Sequence, residues 1–370
     1  MQSKRASVGG KILIKCIVLA VSVVFSFFFA ELVCRYCYFE NLSIVDKTPE
    51  SKFVRYDEQL GWSTIPNSDG YFTNPRAGFK GYVRYDENGI RVNDNNYDYE
   101  GKSILIIGDS VTAGLEVDNN KTYVADLERL FYENGCEYRI YNAGVRGYGT
   151  DQSLWQMERL LDIVKPNYLI YMFNSTDFLD NRTIKQSNRE LGKPVFILNN
   201  NKLIPINRPS IKYDTSYYAF VEYEADGYKI TEGHIMGTLR TIMEIIKNNL
   251  ALAIPLQVVY EQMQISPTAA IEKNAVYPDL KIMELILKEM KRDDIELFIT
   301  SFPYEGEEIY IDDLIRISDK LDITYLNPFP YFTEPWENYH WKRDRHWNEK
   351  GHLQAAAALF ELLSPRLCNQ

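Results

Sequence analysis

The sequence predicts an α/β fold: a three-layer α/β/α domain on a mostly parallel five-stranded sheet, with an N-terminal transmembrane helix and an inserted lobe. Three observations carry this. An uncharged run dense in Val and Phe spans 16–30, apolar runs alternate with helically spaced ones from residue 101, and 182–275 breaks that rhythm. Such alternation predicts parallel strands with helices on both faces. The 370 residues suffice for one large domain of this kind with insertions.

The first forty residues stand apart. Lys4, Arg5, Lys11 and Lys15 precede the uncharged run, and residues 12–14 and 32–33 extend it with further apolar side chains. The span reaches about 20 residues, enough for ~30 Å of hydrocarbon. Cations before it and no acid keep the N-terminus cytoplasmic, so the expectation is a single-pass signal anchor in the cytoplasmic membrane with the rest extracytoplasmic. A cleaved signal peptide is the rival. Ala30 is small, but 27–29 are all Phe and the small-x-small cleavage pattern is missing.

The net charge is −10, and no long basic run occurs outside the N-terminus. This excludes a nucleic-acid groove. Three of the five cysteines lie in or beside the anchor, leaving Cys136 and Cys368 to form a disulfide or stay free. Neither a cysteine framework nor a metal-ligand spacing is present.

Residues 41–100 read as a lead-in subdomain. Within them "GYVRYDENGIRVN" (81–93) sets Asn88-Gly89 between two alternating runs, a hairpin signal. The main domain then runs 101–368. Residues 104–107 are a continuous apolar run suited to a strand buried on both faces. Further strands fall at 139–141, 167–173, 295–301 and 323–328. Helices fall around Val124, Leu127, Leu130 and Phe131, around Leu154, Met157, Leu160 and Leu161, and at 279–291, 308–320 and 348–363. The insertion, approximately 182–275, holds Tyr213, Tyr217, Tyr218, Tyr223 and Tyr228 and a helix near 235–250. A loop of that length without structure is unusual in a compact domain, so a lobe is expected there.

Three stretches at strand ends carry the chemistry. Gly108-Asp109-Ser110 follows the buried strand directly. "NAGVRGYGTDQ" (142–152) follows the second strand, with glycines that let backbone N–H groups approach a ligand. "DRHWNEKGH" (344–352) precedes the C-terminal helix. A serine hydroxyl needs a base, and the base an orienting carboxylate. Of the four histidines, His234 lies in the lobe and His352 in the last helix. Asp344 and His346 are two residues apart, which suits a carboxylate bonded to Nδ1 with Nε2 left for Ser110. Glu337 and His340 form a comparable pair, so spacing alone leaves both open.

These blocks resemble the SGNH (GDSL-type) hydrolase superfamily, especially its bacterial membrane-anchored members, most clearly across 101–181 and 341–356. The resemblance implies a flavodoxin-like sheet, Ser110 as nucleophile, His346 as base, Asp344 as its partner and Gly147 as an oxyanion donor. One block departs from the family. The expected Gly-x-Asn-Asp reads Asn174-Ser175-Thr176-Asp177, which puts Thr176 where an Asn donor belongs, with Asn174 as the alternative.

The implied function is a serine esterase acting on an acyl group, O-acetyl by analogy, of an extracytoplasmic glycan or small molecule. No metal or other cofactor is implied. The partners would be that substrate and the membrane through the N-terminal helix, with no nucleic acid; the sequence gives no oligomeric state. An O-acyltransferase using the same site, and a non-catalytic glycan-binding or assembly protein, are the alternatives.

Overall fold

The structure is a computed structural model that describes residues 15, 18–19, 21–32, 52–74, 77–97, 101–185, 190–212, 217–224, 227–234, 276–304, 306–342 and 344–368. The chain divides into two compact units, and Asp46–Ile235 with Glu272–Gln370 form the one that holds the site. In the other unit, the described residues 15, 18–19 and 21–32 are helical.

Among the described residues no helix is long and apolar enough to cross a membrane. The expected transmembrane anchor, the membrane partner and the single-pass inner-membrane topology are corrected accordingly.

In the main unit the five-stranded sheet consists of β5 (Lys102–Gly108), β6 (Tyr138–Asn142), β7 (Tyr168–Phe173), β13 (Glu296–Ser301) and β14 (Thr324–Leu326), numbered by their place in the chain. The order is β14-β13-β7-β5-β6 and every pairing is parallel. Counted within the sheet this is 2-1-3-4-5, so the chain reverses direction across the sheet between β5 and β7, where α/β sheets open a crevice at the strand ends.

Alternation along each strand builds the layers. Leu105, Ile107, Leu169, Tyr171 and Ile299 face one side, against α3 (Thr150–Val164), α5 (Val276–Met290) and α6 (Ile311–Leu321). Ile104, Ile106, Ile170, Met172 and Phe298 face the other, against α2 (Tyr123–Glu133) and α7 (Glu349–Leu367). Both faces are covered, so the central strands carry continuous apolar runs, 104–107 in β5 and Tyr168–Phe173 in β7. Cys136 and Cys368 form a disulfide between the α2–β6 turn and the end of α7, closing a sequence separation of 232 residues.

The lead-in residues form two antiparallel ribbons, β1 (Val54–Asp57) with β2 (Gly61–Thr64) and β3 (Asp69–Asn74) with β4 (Phe79–Arg84). The Asn88-Gly89 turn exists, with Gly89 at φ 75°, but beyond it the partners are reduced to the isolated bridge Tyr85 to Arg91. The chain leaves that hairpin because Arg91 crosses to the main sheet. Its backbone N–H donates to Asn142 O at 3.0 Å. Its guanidinium, fully buried, donates to Ala113 O at 2.5 Å, to Gly114 O, to Val117 O at 2.6 Å and to Asn119 Oδ1 at 3.3 Å. Burial draws its pKa down to about 10, so it remains a cation at neutral pH.

Within the span of the insertion, β8 (Thr183–Lys185), β11 (Tyr217–Glu224) and β12 (Gly227–His234) make a three-stranded sheet, and β9 (Val195–Asn199) pairs with β10 (Lys202–Ile206). Buried ion pairs fasten these residues to the core: Lys193 to Asp151 at 2.8 Å, and Arg182 to Asp279 at 2.6 Å. The helix expected near 235–250 and Tyr213 lie outside the described residues.

Arg91→Met should cost about 3 kcal/mol or more, because buried carbonyls lose their donor. Urea unfolding measures this; a loss under about 1 kcal/mol would show that the guanidinium does not hold the turn.

Candidate active site

The site begins where β5 ends. A strand covered on both faces cannot present a side chain to solvent until it turns, and Gly108 makes the turn at φ 157°. A Cβ there would sit 2.6 Å from Thr112 Oγ1 and 3.0 Å from Met172 O. The next residues form the short helix α1 (Ser110–Ala113), capped by Asp109, whose Oδ1 accepts from Val111 N at 2.9 Å.

His346 Nε2 lies 2.8 Å from Ser110 Oγ, across 236 positions of sequence. Its Nδ1 lies 2.5 Å from Asp344 Oδ1, which also accepts the His346 backbone N–H at 2.9 Å. The loop is held from both sides. Trp341 N donates to His346 O at 3.2 Å, and the fully buried Trp347 follows directly. Asn348 then caps α7 by accepting from Gly351 N at 3.0 Å.

The electrostatics suit a base. Burial alone would lower the pKa of His346, but the carboxylates of Glu116 and Asp344 outweigh it, and the ring titrates above its ordinary value. Asp344 is pulled the other way: burial favours its neutral form, and the bond and charge of His346 more than offset that.

The other histidines are occupied elsewhere. His340 meets Trp336 O with Nδ1 at 2.8 Å, and burial lowers its pKa. His352 accepts the Tyr123 backbone N–H at 3.1 Å, and burial takes it to about 3. The side chain of His234 lies outside the described residues. The tie left by spacing between His346 and His340 is thus broken by what each ring nitrogen touches.

Two further loops meet the end of β5. After β6, Val145 N donates to Gly108 O at 3.1 Å, which draws the loop carrying Gly147, at φ 72°, against the end of β5. After β7, Asn174 Nδ2 donates to Asp109 Oδ2 at 2.9 Å. An amide nitrogen has two protons, so one remains. Asp177 fixes this turn: its Oδ2 accepts Asn174 N at 3.2 Å and the Tyr171 hydroxyl. Burial, then repulsion from Asp109, hold the Asp177 carboxyl well above the usual carboxylate range. Thr176 begins α4 (Thr176–Arg182) with an exposed side chain, while its backbone N–H donates to Asn174 Oδ1 at 3.3 Å.

No family model matches the chain. Over 78 residues it is 30% identical to the esterase TesA of Pseudomonas aeruginosa, a stretch that is 21% of this chain and 39% of TesA. The solved structures it resembles include TesA at 13% identity, over 71% of this chain and 99% of that one, with a TM-score of 0.39. The esterase EstA from Pseudoalteromonas sp. covers 73% and 100% at 12% identity and TM-score 0.39. LAE5, described as an α/β hydrolase enzyme from the metagenome of Lake Arreo, covers 72% and 97% at 14% identity and TM-score 0.35. What this chain resembles are esterases.

The resemblance to the SGNH (GDSL-type) superfamily is corrected here. No family model matches the chain, and the relative it matches at 30% identity is named only as an esterase. What stands is a three-layer α/β/α domain with a mostly parallel core sheet.

Sequence reasoning missed Glu116 and Arg146. Glu116 Oε1 lies 3.5 Å from His346 Nδ1 and accepts from Arg146 Nη1. Arg146 was inside a quoted motif, but nothing in "GLEVDNN" marks a buried carboxylate. Asp109, conspicuous in the motif, serves as a cap and as the anchor of Asn174.

Asn174→Ala would leave buried Asp109 with one donor fewer. A stability loss of about 1–3 kcal/mol is expected on urea unfolding, and an unchanged midpoint would show that the Asp109 contact is dispensable.

Proposed function

We propose that this chain is a serine esterase in which Ser110 attacks an acyl ester, His346 is the general base and Asp344 orients it. The observation that carries the reading is the 2.8 Å contact of His346 Nε2 with Ser110 Oγ, continued at Nδ1 by Asp344. A hydroxyl so bonded can lose its proton as it attacks, while the carboxylate fixes the tautomer and stabilises the imidazolium.

In the proposed cycle Ser110 Oγ bonds to the carbonyl carbon and His346 takes its proton. The tetrahedral oxyanion is met by the backbone N–H groups of Ser110 and Gly147 and by the second Asn174 amide proton. The C–O bond breaks, His346 protonates the leaving alkoxide, and an acyl-serine remains. Water then adds through the same base, and the acid departs with Ser110 restored. Buried Asn174, rather than exposed Thr176, is the proposed side-chain donor.

The finer proposal is a short, O-acetyl, ester on a glycan. Its support is the chemistry of the rim next to the base in the chain. The Arg345 guanidinium lies over the Tyr304 ring at 4.5 Å, and Glu307, near Arg345, accepts from Ser175. Charged and hydroxyl groups beside the base suit a hydroxyl-rich carrier better than an alkyl chain, which would bury them without partners.

Turnover of p-nitrophenyl acetate should vanish in Ser110→Ala, and a fluorophosphonate probe should label Ser110 in the parent; activity retained by that variant sinks the assignment. Asn174→Ala should lose about 10²–10³ in kcat while Thr176→Ala changes little. The raised pKa of His346 puts the acid limb of kcat/KM above the ordinary imidazole value of about 6.5, with activity lost as pH falls through it. A limb below about 6 would contradict this charge arrangement.

A further inference from the structure

Glu116 is a buried charge to which the proposed cycle gives no task. Its side chain is 0% exposed, against 18% for Asp344. Its Oε2 finds no hydrogen-bond partner among the described residues, although it is buried. An unsatisfied buried oxygen costs about 1–3 kcal/mol, which a purely structural residue would have no reason to incur.

The backbone around it is tightly held. Arg91 grips the carbonyls of Ala113, Gly114 and Val117, and Val117 N closes onto Gly114 O at 3.3 Å. The carboxylate is thereby aimed at His346 Nδ1, 3.5 Å away, while Arg146 pairs with the same oxygen. Arg146 belongs to the loop that carries Gly147, and its guanidinium rests 5.3 Å from the centre of the Phe72 ring in β3.

We infer that Glu116 is a positioning residue: a second carboxylate behind the base that shares Nδ1 with Asp344, stabilises the imidazolium, and couples it through Arg146 to the loop bearing Gly147. Its consequence for turnover rests on the esterase reading; its effect on the ring does not. Asp344 provides the shorter bond, and Glu116 provides charge in a place water does not reach, where screening is weakest. Arg146 pairs with Glu116 and opposes it at the ring. The other groups facing His346 are Asp109 beside Ser110, raised by burial, and His340 and His352, both held towards neutrality by burial.

The test is Glu116→Gln, which keeps an acceptor for Arg146 and removes the charge. The His346 ring is followed by NMR titration in the full chain, its signal assigned by loss in His346→Asn. The titration should fall by about 1 pH unit or more, the usual effect of a charge within reach. If the parent turns over p-nitrophenyl acetate, its acid limb should fall with it. There kcat should drop about tenfold with KM within about twofold, since a pKa unit corresponds to a factor of ten. Glu116→Asp, which keeps the charge, should recover part of the shift. If the Gln variant fails to fold, Glu116→Met removes the charge and the unpartnered oxygen together, and the same downward shift is expected. An unmoved titration in a folded variant overturns the inference. A parent that hydrolyses no ester while the shift appears would overturn the esterase reading alone.

Discussion

A strand covered on both faces hides every side chain until it stops. Leu105 and Ile107 are locked into one layer and Ile104 and Ile106 into the other, so β5 can offer chemistry only at its end. Gly108 is that end, and its backbone permits the turn that lifts Ser110 clear. The loops after β6 and β7 finish at the same edge because their strands run parallel to β5 in register with it. Val145 bonding to Gly108 and Asn174 bonding to Asp109 follow from that alignment.

The opposite half of the site arrives from the far end of the chain and is held by different forces. His346 sits in a loop, yet the loop is bounded by Trp341, Trp347 and the Asn348 cap of α7. That helix packs on α2, is tied to it by His352 accepting from Tyr123, and is fastened at its far end by the Cys136 to Cys368 disulfide. The lead-in ribbons, expected as a connecting segment, take part in the site. Arg91 shapes the turn after α1, and Phe72 supports Arg146. A buried cation satisfied by backbone carbonyls ties that region to the turn behind Ser110.

Local patterns account for what could be read in advance. The continuous apolar runs of β5 and β7 announced those strands because a doubly covered strand buries side chains on both faces. The Asp344-x-His346 spacing announced a bonded pair because two residues in a loop bring a carboxylate to its neighbour's ring. The expected anchor is not supported: among the described residues no helix is long and apolar enough to cross a membrane. The superfamily resemblance rested on short blocks, and without a matching family model it does not carry the chain.

By itself, then, the sequence determined the layered α/β/α arrangement and the strand edge at which chemistry could occur, since both follow from apolar spacing within short segments. Tertiary structure alone decided which histidine meets Ser110, that Asn174 and not Thr176 turns inward, and that Glu116 and Arg146 pair behind the ring. These are contacts between segments brought together by packing. Their cause lies in burial and in the partners available to each buried polar group, which spacing along a chain does not encode.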